Sequence, residues 1–490
     1  MPHTPEQFLP LLARHFSHTF TPLQAEAAAR LARFAFSPAE RPAFILRGYA
    51  GTGKTTLVGA FVRALREAER NVVLLAPTGR AAKVLADHAG GEAYTIHRAI
   101  YRQRTFNGDD TRFDLDFNKH RGTVFVVDEA SMLSRDKSYD GAFGTGCLLE
   151  DLIAFVYAAP RCRLLVVGDT AQLPPVGESG SPALQAEVMA RYSLDVMQAD
   201  LTEVVRQEAA SSVLAVATAL RNRLEAALPG KPSVSVSRHG EVRHLPGDEL
   251  IEQLVTDYSD YGTEDVIIVT RTNKRANLYN EGIRRRIFDR EELPVRGDLV
   301  MVVKNNYFWP AQAAKSLSPG ERMPLGFVAN GDAAEVVRIA NVHEQHGFLF
   351  ADTTLRFPDY AGFELDCRVL LSTLTSESPS LTRDESTQLY ERVLADYADI
   401  PSKADRMKHV REDPYYNALQ LKYAYAVTCH KAQGGQWQRV YIDQGYVPAE
   451  TPAAEYIRWL YTAVTRTTDR VFLVNWPQSE LTWEAEEPNP

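Results

Sequence analysis

The side chains most able to do chemistry lie in a nine-residue, glycine-rich segment at positions 48–56, which reads GYAGTGKTT. Glycine permits unusual backbone dihedrals and a close approach, so the amides of such a loop can turn inward around a triphosphate. The Lys54 ammonium can reach the β and γ phosphates, and the Thr55 hydroxyl is a magnesium ligand. These residue types at this spacing predict a site for a nucleoside triphosphate and Mg²⁺.

The flanks of this segment support the prediction. An apolar run at 43–46 precedes it, and apolar residues recur at helical spacing over 57–65. Strand, loop and helix in this order are what a phosphate-binding loop needs, because the helix aims its N-terminal amides at the anion. A glycine turn that matched by chance would lack this context. The residues assigned to nucleotide binding are Gly48, Gly51, Thr52, Gly53, Lys54, Thr55 and Thr56.

Two carboxylates, Asp128 and Glu129, directly follow a second apolar run at 124–127. At the tip of a strand beside a phosphate loop, Asp128 suits holding Mg²⁺ through its water shell, and Glu129 suits polarising the attacking water. A pair of surface acids is the alternative, which the apolar run disfavours. Gln172 follows a third apolar run at 164–167, and its amide can sense a γ-phosphate and orient water. The pattern predicts hydrolysis of the triphosphate.

For two further residues, the sequence is compatible with either a functional or a structural role. Gln24 lies in the first turn of a predicted helix whose N-cap is Thr21, and its amide either pairs with an adenine edge or faces solvent. Arg206 precedes a predicted helix at 211–228 and is either a phosphate contact or a surface residue. The residues alone do not favour the functional role for either.

Composition limits the class of protein. A chain of 490 residues, 45% hydrophobic and 24% charged, is typical of a soluble globular protein of about three domains. The net charge of −9 requires any nucleic-acid surface to be local, and the basic run at 271–290 is more typical of a solvated helix face. Polar residues at the start and short apolar runs predict a cytoplasmic protein without a membrane partner. Four scattered cysteines predict reduced thiols and no structural metal.

Repeated strand, turn and helix signals predict a mainly parallel sheet with functional loops at its carboxyl edge. We expect an N-terminal α/β domain over 1–228, interrupted by a hairpin at 98–122 around the Asn107–Gly108 turn signal. Proline, serine and glycine predict a linker at 229–248. A second α/β domain is expected over 249–295 and 421–490, separated by short strands at 296–420 that are typical of a small β-barrel, with a charged, partly helical arm at 377–411.

Seven segments occur in a fixed order between residue 24 and about residue 474: GYAGTGKTT, APTGRAAKVL, VVDEAS, VVGDTAQLPPVG, LTEVVRQ, AVTCHKAQG and YTAVTR. This series resembles the superfamily 1 helicases, particularly the 1B branch with RecD-like and Dda-like proteins. The resemblance implies an α/β fold with two RecA-like P-loop domains, an inserted β-hairpin and an inserted SH3-like small β-barrel. It also implies an ATP-dependent DNA helicase that translocates on single-stranded DNA, 5′ to 3′, and unwinds duplex DNA with ATP and Mg²⁺ as cofactors.

The resemblance assigns further roles. Gln24 resembles the adenine reader, and Arg206 and Arg466 resemble the arginines that stabilise charge on the transferring phosphoryl group, with Arg466 supplied by the second domain. Single-stranded DNA and duplex junctions are the implied partners. Phe106, beside the hairpin turn, either stacks on the last base pair as a wedge or caps the hairpin's own cluster. The residues implied to contact DNA are Thr78, Gly79, His97, Phe106, Asn273, Thr428 and His430.

The chain departs from larger family members in two ways. It ends soon after residue 475 without room for a nuclease domain, and it has no long N-terminal extension. We expect a compact, monomeric helicase without a nuclease. One alternative is a DNA-stimulated translocase that does not separate strands. Another is a nucleotide-dependent binding switch, which Glu129, Gln172, Arg206 and Arg466 together disfavour because a switch does not need hydrolytic residues.

Overall fold

The computed structural model describes residues 4–103, 113–136, 144–205, 211–291, 293–316 and 323–484. These residues form two compact units. The first comprises the described residues of 4–234 together with 450–465, and the second comprises the described residues of 235–449 and 466–484. No helix among the described residues is both long and apolar enough to cross a bilayer.

Helices and strands are numbered here along the chain. The helices are α1 (Pro5–His15), α2 (Pro22–Ala35), α3 (Lys54–Glu67), α4 (Gly79–Ala89), α5 (Ile96–Ile100), α6 (Leu148–Tyr157), α7 (Ala186–Ala190), α8 (Ser212–Glu225), α9 (Leu250–Tyr261), α10 (Asn273–Arg286), α11 (Phe308–Ala314), α12 (Arg383–Asp396), α13 (Lys403–Arg411), α14 (Cys429–Ala432) and α15 (Ala453–Val464). The strands are β1 (Pro42–Gly48), β2 (Val72–Ala76), β3 (Ala93–Thr95), β4 (Tyr101–Gln103), β5 (Phe113–Leu115), β6 (Val124–Val127), β7 (Arg163–Gly168), β8 (Asp195–Leu201), β9 (Val234–Val236), β10 (Val242–Leu245), β11 (Val266–Thr270), β12 (Leu299–Val302), β13 (Ala333–Gln345), β14 (Phe348–Phe357), β15 (Phe363–Leu370), β16 (Leu419–Tyr423), β17 (Ala426–Thr428), β18 (Trp437–Asp443), β19 (Thr467–Val474) and β20 (Leu481–Trp483).

The first unit is built on a six-stranded sheet in the order β3-β2-β6-β7-β1-β8, and its described pairings are parallel. Its central strands β6 and β7 are buried along their whole length, as expected for parallel strands that helices cover on both faces. All four residues of β6 and all six of β7 are buried. The predicted parallel sheet is confirmed, and its strands deliver the loops after β1, β2, β6 and β7 to one edge.

The second unit contains a parallel five-stranded sheet in the order β10-β19-β18-β11-β17. Its edge strand β10 comes from the segment predicted as a linker at 229–248, which also contains β9. That prediction is wrong for these strands, because two short strands with polar residues between them give no local apolar run. The partners that make them strands, β19 and β20, lie more than two hundred residues away in sequence.

A closed five-stranded barrel, β12-β13-β14-β15-β16, is inserted in this unit, as the short strands predict. Its closing strand β16 extends past the expected boundary at residue 420. The apolar run at 419–428 belongs to two sheets, since β16 pairs with β12 in the barrel and β17 pairs with β11 in the parallel sheet. The arm does not project freely, because Leu389, Val393 and Val410 of α12 and α13 pack on Phe348 and Phe350 of β14.

Helix α15 groups with the first unit, although 421–490 was expected to form part of the second domain. Eight of its twelve residues are buried, and the helix packs against α8 of the first unit. The ammonium of Lys231 also lies 5.4 Å from the ring of Tyr456. Burial of this helix depends on contacts far away in sequence, which its own apolar pattern does not specify.

The expected hairpin is present at its base, where β4 and β5 pair antiparallel with Tyr101 opposite Leu115. Leu115 packs on the core of the first unit. Phe117, two residues further along, is 70% exposed, with the Arg102 guanidinium 4.5 Å from its ring. It follows the end of β5, so strand alternation no longer sets its direction. The turn and Phe106 lie outside the described residues.

Candidate functional site

The glycine-rich loop between β1 and α3 has the geometry that its composition predicts. Gly51 and Gly53 have φ values of 72° and 76°, in the left-handed region that favours glycine. A Cβ on Gly53 would lie 2.6 Å from Gln24 Nε2, and one on Gly48 would lie 2.7 Å from Lys54 Cγ. Side chains at these positions would fill the loop. Glycine is therefore a steric requirement at the entrance to α3.

Lys54 lies over this loop. Its Nζ donates to the Tyr49 carbonyl at 2.8 Å, and the Thr52 hydroxyl donates to the same oxygen at 2.8 Å. Lys54 is the first residue of the fourteen-residue helix α3, so the free N–H groups of that helix point toward the loop. The loop thus gathers an ammonium group, a helix N-terminus and inward-facing amides at one place, which is a cradle for phosphate.

Gln24 is buried against the loop, so the alternative of a solvent-facing glutamine is wrong. It is 2% exposed. Its Oε1 accepts from the Thr21 N–H at 3.0 Å, and its Nε2 donates to the Thr52 carbonyl at 3.0 Å. An amide group has a second N–H and a second lone pair. Gln24 therefore ties α2 to the phosphate loop through one N–H and one lone pair of its amide group.

Asp128 and Glu129 stand at the carboxyl end of β6. Burial raises the pKa of Asp128, whereas the hydrogen bond from the Glu129 N–H, at 2.8 Å, and the charge of Lys54 lower it. Glu129 has a φ of 51°. A left-handed conformation in a residue other than glycine costs of order 1–3 kcal/mol and is concentrated at functional sites. Both carboxylates thus lie at the end of a buried strand, as the apolar run before them predicts.

Gln172 follows β7 at the same edge of the sheet and is buried. Its Oε1 has no hydrogen-bond partner in the part of the chain that the structure describes. An unsatisfied buried acceptor costs about 1–3 kcal/mol, so a donor from a ligand or a bound water is the expected partner. Ser131 Oγ, just after Glu129, is a second such atom. Two unfilled polar positions near the phosphate loop match a site for a hydrated anion.

Helix α15 contributes residues that the sequence did not reveal. The Tyr461 hydroxyl donates to Asp169 Oδ2 at 2.6 Å and accepts from the Ala50 N–H at 2.9 Å. The Leu173 N–H donates to the Thr462 hydroxyl at 2.8 Å. One hydroxyl therefore joins the phosphate loop to the segment that carries Gln172. Tyr461 and Thr462 lie in the motif YTAVTR. That motif was assigned a role through its arginine, Arg466, and not through these two hydroxyls.

The remaining candidates of the first unit lie at the ends of neighbouring strands. Thr78 and Thr95 are the N-caps of α4 and α5, and β2 and β3 pair with Ala76 opposite Thr95. This places Gly79 and His97, in the first turns of those helices, near each other. Burial lowers the pKa of His97 to about 4. His97 is therefore neutral at pH 7 and can offer a hydrogen bond or a ring contact, but not a charge.

The second unit has a similar edge. Asn273 begins α10, and Thr428 ends β17 opposite Thr270 of β11. Thr428 makes no side-chain capping bond to α14, and His430 of that helix is exposed. Arg466 is buried in this unit, with Nη1 donating to the Gly435 carbonyl at 3.4 Å. Arg206 and Phe106 lie outside the described residues.

The comparison with known proteins gives one family match in the N-terminal part of the chain and one in the C-terminal part. Residues 20–233 match the family model of an AAA domain, and residues 423–474 match that of a UvrD-like helicase C-terminal domain. The ATP-dependent DNA helicase dda of Enterobacteria phage T4 is 29% identical over 269 residues, covering 52% of this chain and 55% of that protein. The ATP-dependent RecD2 DNA helicase of Deinococcus radiodurans is 26% identical over 434 residues, covering 87% of this chain and 46% of that protein.

The chain thus spans about half the length of these two curated relatives. A solved structure of the Bacteroides Pif1 helicase in complex with ADP-AlF3 and ssDNA is 16% identical, with a TM-score of 0.45 over 94% of this chain and 93% of that one. Both family models fall on segments that carry the ordered motifs. The chain is thus similar to RecD-like and Dda-like helicases, the branch of superfamily 1B that its ordered motifs resemble.

Proposed function

We propose that this protein is an ATP-dependent DNA helicase that translocates on single-stranded DNA from 5′ to 3′ and unwinds duplex DNA. The observation that carries the proposal is the edge of the first sheet. There a loop that only glycine can form, a lysine, a strained glutamate and the unfilled acceptor of Gln172 come together. A binding module would not need Glu129 in a costly conformation or a buried amide without a partner.

Within this site, Lys54 and the loop amides bind the β and γ phosphates, and Gln24 contacts the adenine edge. Thr55 and Asp128 are the residues that would hold Mg²⁺, which would neutralise phosphate charge during transfer. A single carboxylate and a hydroxyl fit this ion, because Mg²⁺ keeps several waters and takes its other ligands from the phosphates. Binding is thus assigned to residues that lie together in the first unit.

Hydrolysis is assigned to the residues that follow β6 and β7. Glu129 takes the proton of the attacking water, and Gln172 uses its free Oε1 to accept from that water while its N–H groups face the γ-phosphate. Arg206 and Arg466 supply positive charge to the transferring group. The hydroxyl of Tyr461 fixes the distance between the phosphate loop and the Gln172 segment, and is a positioning residue.

DNA is assigned to the strand ends of each unit. The contacts proposed in the first unit are Thr78, Gly79 and His97, and those in the second are Asn273, Thr428 and His430. Hydroxyls, amides and a neutral imidazole suit the phosphates and sugars of a single strand, so binding should depend weakly on sequence. The hairpin at 98–122 is proposed to split the duplex with Phe106, and the barrel is proposed to be SH3-like.

The proposal is tested by ATPase rate and strand separation with purified protein. Single-stranded DNA should strongly stimulate ATP hydrolysis, and Lys54→Ala should abolish it because the phosphates lose their ammonium partner. A duplex with a 5′ single-stranded tail should be unwound and one with a 3′ tail should not. An ATPase rate that DNA leaves unchanged would rule out translocation. Stimulation without unwinding of either duplex would favour the translocase that does not separate strands, and unwinding of the 3′-tailed duplex alone would reverse the direction.

A further inference from the structure

Glu129 has a backbone conformation that its surroundings must enforce. Its φ of 51° is left-handed, and a residue other than glycine stays in that region only where the surrounding structure over-determines it. A 3₁₀ turn, Ala130–Met132, follows it directly. The contacts that residues 130–136 make with the rest of the first unit therefore decide where the Glu129 carboxylate lies.

The first part of this segment is fixed by packing. A Cβ on Gly168, the last residue of β7, would lie 3.1 Å from the Ser131 nitrogen, so the two backbones are in direct contact. Ser131 and Leu133 are buried. Packing is not directional, so it sets how closely the segment approaches β7. Hydrogen bonds, which depend on distance and angle, are needed to fix its position along the strand.

The far end of the segment is bound by a carboxylate from the loop after β7. Glu178 Oε1 accepts from the Ser134 hydroxyl at 2.6 Å and from the Arg135 N–H at 2.7 Å. The Ser134 hydroxyl in turn accepts from the Asp136 N–H at 2.9 Å. Hydrogen bonds to a carboxylate are shorter and stronger than those between neutral groups. Glu178 therefore binds the segment at the end opposite to Glu129.

A tight turn brings Glu178 to this position. The Glu178 N–H donates to the Pro175 carbonyl at 3.0 Å, and Gly177 has a φ of 87°. A positive φ at the third residue of a hydrogen-bonded turn is typical of type II, which favours glycine there. A Cβ on Gly177 would lie 3.7 Å from Asp136 Oδ2. Val176 in the same turn is 77% exposed, so the turn is fixed by these polar contacts and not by burial of its side chain.

The loop that carries Glu178 also carries Gln172. The Leu173 N–H, next to Gln172, donates to the Thr462 hydroxyl at 2.8 Å, so α15 fixes the start of the loop. Glu178 lies further along the loop and binds the segment that follows Glu129. The two residues proposed for hydrolysis follow different strands, and Glu178 connects their segments by hydrogen bonds.

We propose that Glu178 is a positioning residue for ATP hydrolysis, which sets the place of Glu129 relative to Gln172 by binding residues 134–136. The inference rests on the proposed function, because both of those residues act in the proposed hydrolysis. Glu178 acts on the reacting atoms only through Glu129. A displacement of about 1 Å at a catalytic group can cost about 10²-fold in rate, so loss of these hydrogen bonds should appear in kcat.

The test is steady-state ATP hydrolysis with single-stranded DNA by the wild-type, Glu178→Leu and Glu178→Gln chains. Leucine removes the acceptor oxygens at similar size, so kcat should fall about 10–100-fold, while the KM for ATP should stay within about 2-fold because binding is assigned to other residues. Glutamine keeps an oxygen that can accept from Ser134 and Arg135, so it should restore most of kcat. Glu187→Leu, which changes an exposed glutamate of α7, is the matched control and should alter neither constant.

A second arm separates positioning of Glu129 from a general structural effect. In a Glu129→Gln chain the group that Glu178 positions is already disabled. Adding Glu178→Leu to that chain should therefore not lower the residual rate further, as measured in a single turnover. A residue that only stabilises the fold would lower the rate by the same factor in both backgrounds.

Equal kcat for wild type and Glu178→Leu, or a loss that appears only as a raised KM, would overturn the inference and leave the helicase proposal intact. An additive loss in the double variant would do the same. If Glu178→Leu does not fold by circular dichroism, Ser134→Ala is measured in its place, because it removes one of the same hydrogen bonds. It should lower kcat without raising KM, and an unchanged kcat would overturn the inference. A wild-type chain that does not hydrolyse ATP would remove the proposed function itself.

Discussion

At the scale of single residues, the site combines groups that are costly for the fold. Glu129 has a left-handed backbone, Gln172 Oε1 is a buried acceptor with no partner among the described residues, and burial works against the charge of Asp128. The first two of these cost of order 1 kcal/mol or more each. They occur at the ends of two adjacent strands, β6 and β7. Such a concentration indicates that the edge is shaped for a ligand rather than for stability.

Glu129→Gln should keep ATP binding and lose turnover by about 10²–10⁴-fold, because the amide fills the same space but cannot take a proton. Nucleotide affinity measured with a fluorescent ATP analogue and steady-state phosphate release separate the two effects. Glu69→Gln is a matched control, since Glu69 has a φ of 54° and is exposed at the end of α3. Hydrolysis by Glu129→Gln at near the wild-type rate would show that another group is the base.

At the scale of elements, α15 connects two loops of the first unit through side-chain hydrogen bonds. Tyr461 binds both the phosphate loop and Asp169, Thr462 binds the Leu173 N–H, and the Arg458 guanidinium donates to the Thr170 carbonyl. Three residues on one helical face thus hold the Gln172 segment in place. The helix ends at Val464, two residues before Arg466. The relative positions of the phosphate loop and the Gln172 segment therefore depend on this helix as well as on the strands that precede them.

Tyr461→Phe should lower the free energy of unfolding of the first unit by about 1–3 kcal/mol, because the Ala50 N–H and the Asp169 carboxylate lose a shared partner. It should also lower kcat for ATP more than it raises KM, since the Gln172 segment loses its fixed distance from the loop. Urea titration and ATPase kinetics measure the two effects. Tyr446→Phe, which changes an exposed hydroxyl, should alter neither. A normal kcat in a Tyr461→Phe chain that is destabilised would show that the tyrosine contributes to stability and not to catalysis.

The hairpin is a second element, and its proposed role as a wedge can be tested separately from ATP hydrolysis. The proposed variant replaces residues 105–111 with a short glycine linker, a change that includes none of the paired residues of β4 and β5. DNA-stimulated ATPase should persist and unwinding of a 5′-tailed duplex should be lost, because the tracking residues remain and the wedge does not. Unwinding at the normal rate would eliminate the wedge. Loss of both activities would mean that the hairpin serves the fold.

At the scale of the whole molecule, the second unit is held together by a buried carboxylate. Asp298 accepts from Arg284 Nη2 at 3.1 Å, from Arg290 Nη1 at 2.7 Å and from the Tyr425 hydroxyl at 3.0 Å. These partners come from α10, the segment after it and the turn between β16 and β17. The network therefore joins the barrel to the parallel sheet. It also accounts for two arginines of the basic run at 271–290, which are buried or half-buried in ion pairs rather than spread on a solvated face.

Asp298→Ala should destabilise the second unit by about 3–5 kcal/mol, because two guanidinium groups lose the carboxylate they share. ATP binding by the first unit should survive under native conditions. Urea titration followed by tryptophan fluorescence measures the loss, since four of the five tryptophans, Trp309, Trp437, Trp476 and Trp483, belong to the second unit. Asp366→Ala, at an exposed carboxylate of the barrel, should cost under about 1 kcal/mol. Equal effects of the two changes would contradict the role given to Asp298.

The sequence by itself determined the phosphate loop, the strands that carry Asp128 and Gln172, and the presence of a barrel. These features are local. Glycines are needed where the loop dihedrals are unusual, and apolar runs mark strands that are buried on both faces. Because the strands are parallel, the side chains that follow their carboxyl ends lie at one edge of the sheet. Residues such as Lys54 and Glu129 could be named because their neighbours in sequence are also their neighbours in space.

Only the tertiary structure decided which distant segments meet. The burial of Gln24, the docking of α15 on the first unit, the closing of the barrel by β16 and the capture of Arg284 by Asp298 all join residues that the local pattern leaves independent. These contacts depend on the shape of the folded unit and on the desolvation of its interior. The periodicity of apolar residues along the chain does not specify them.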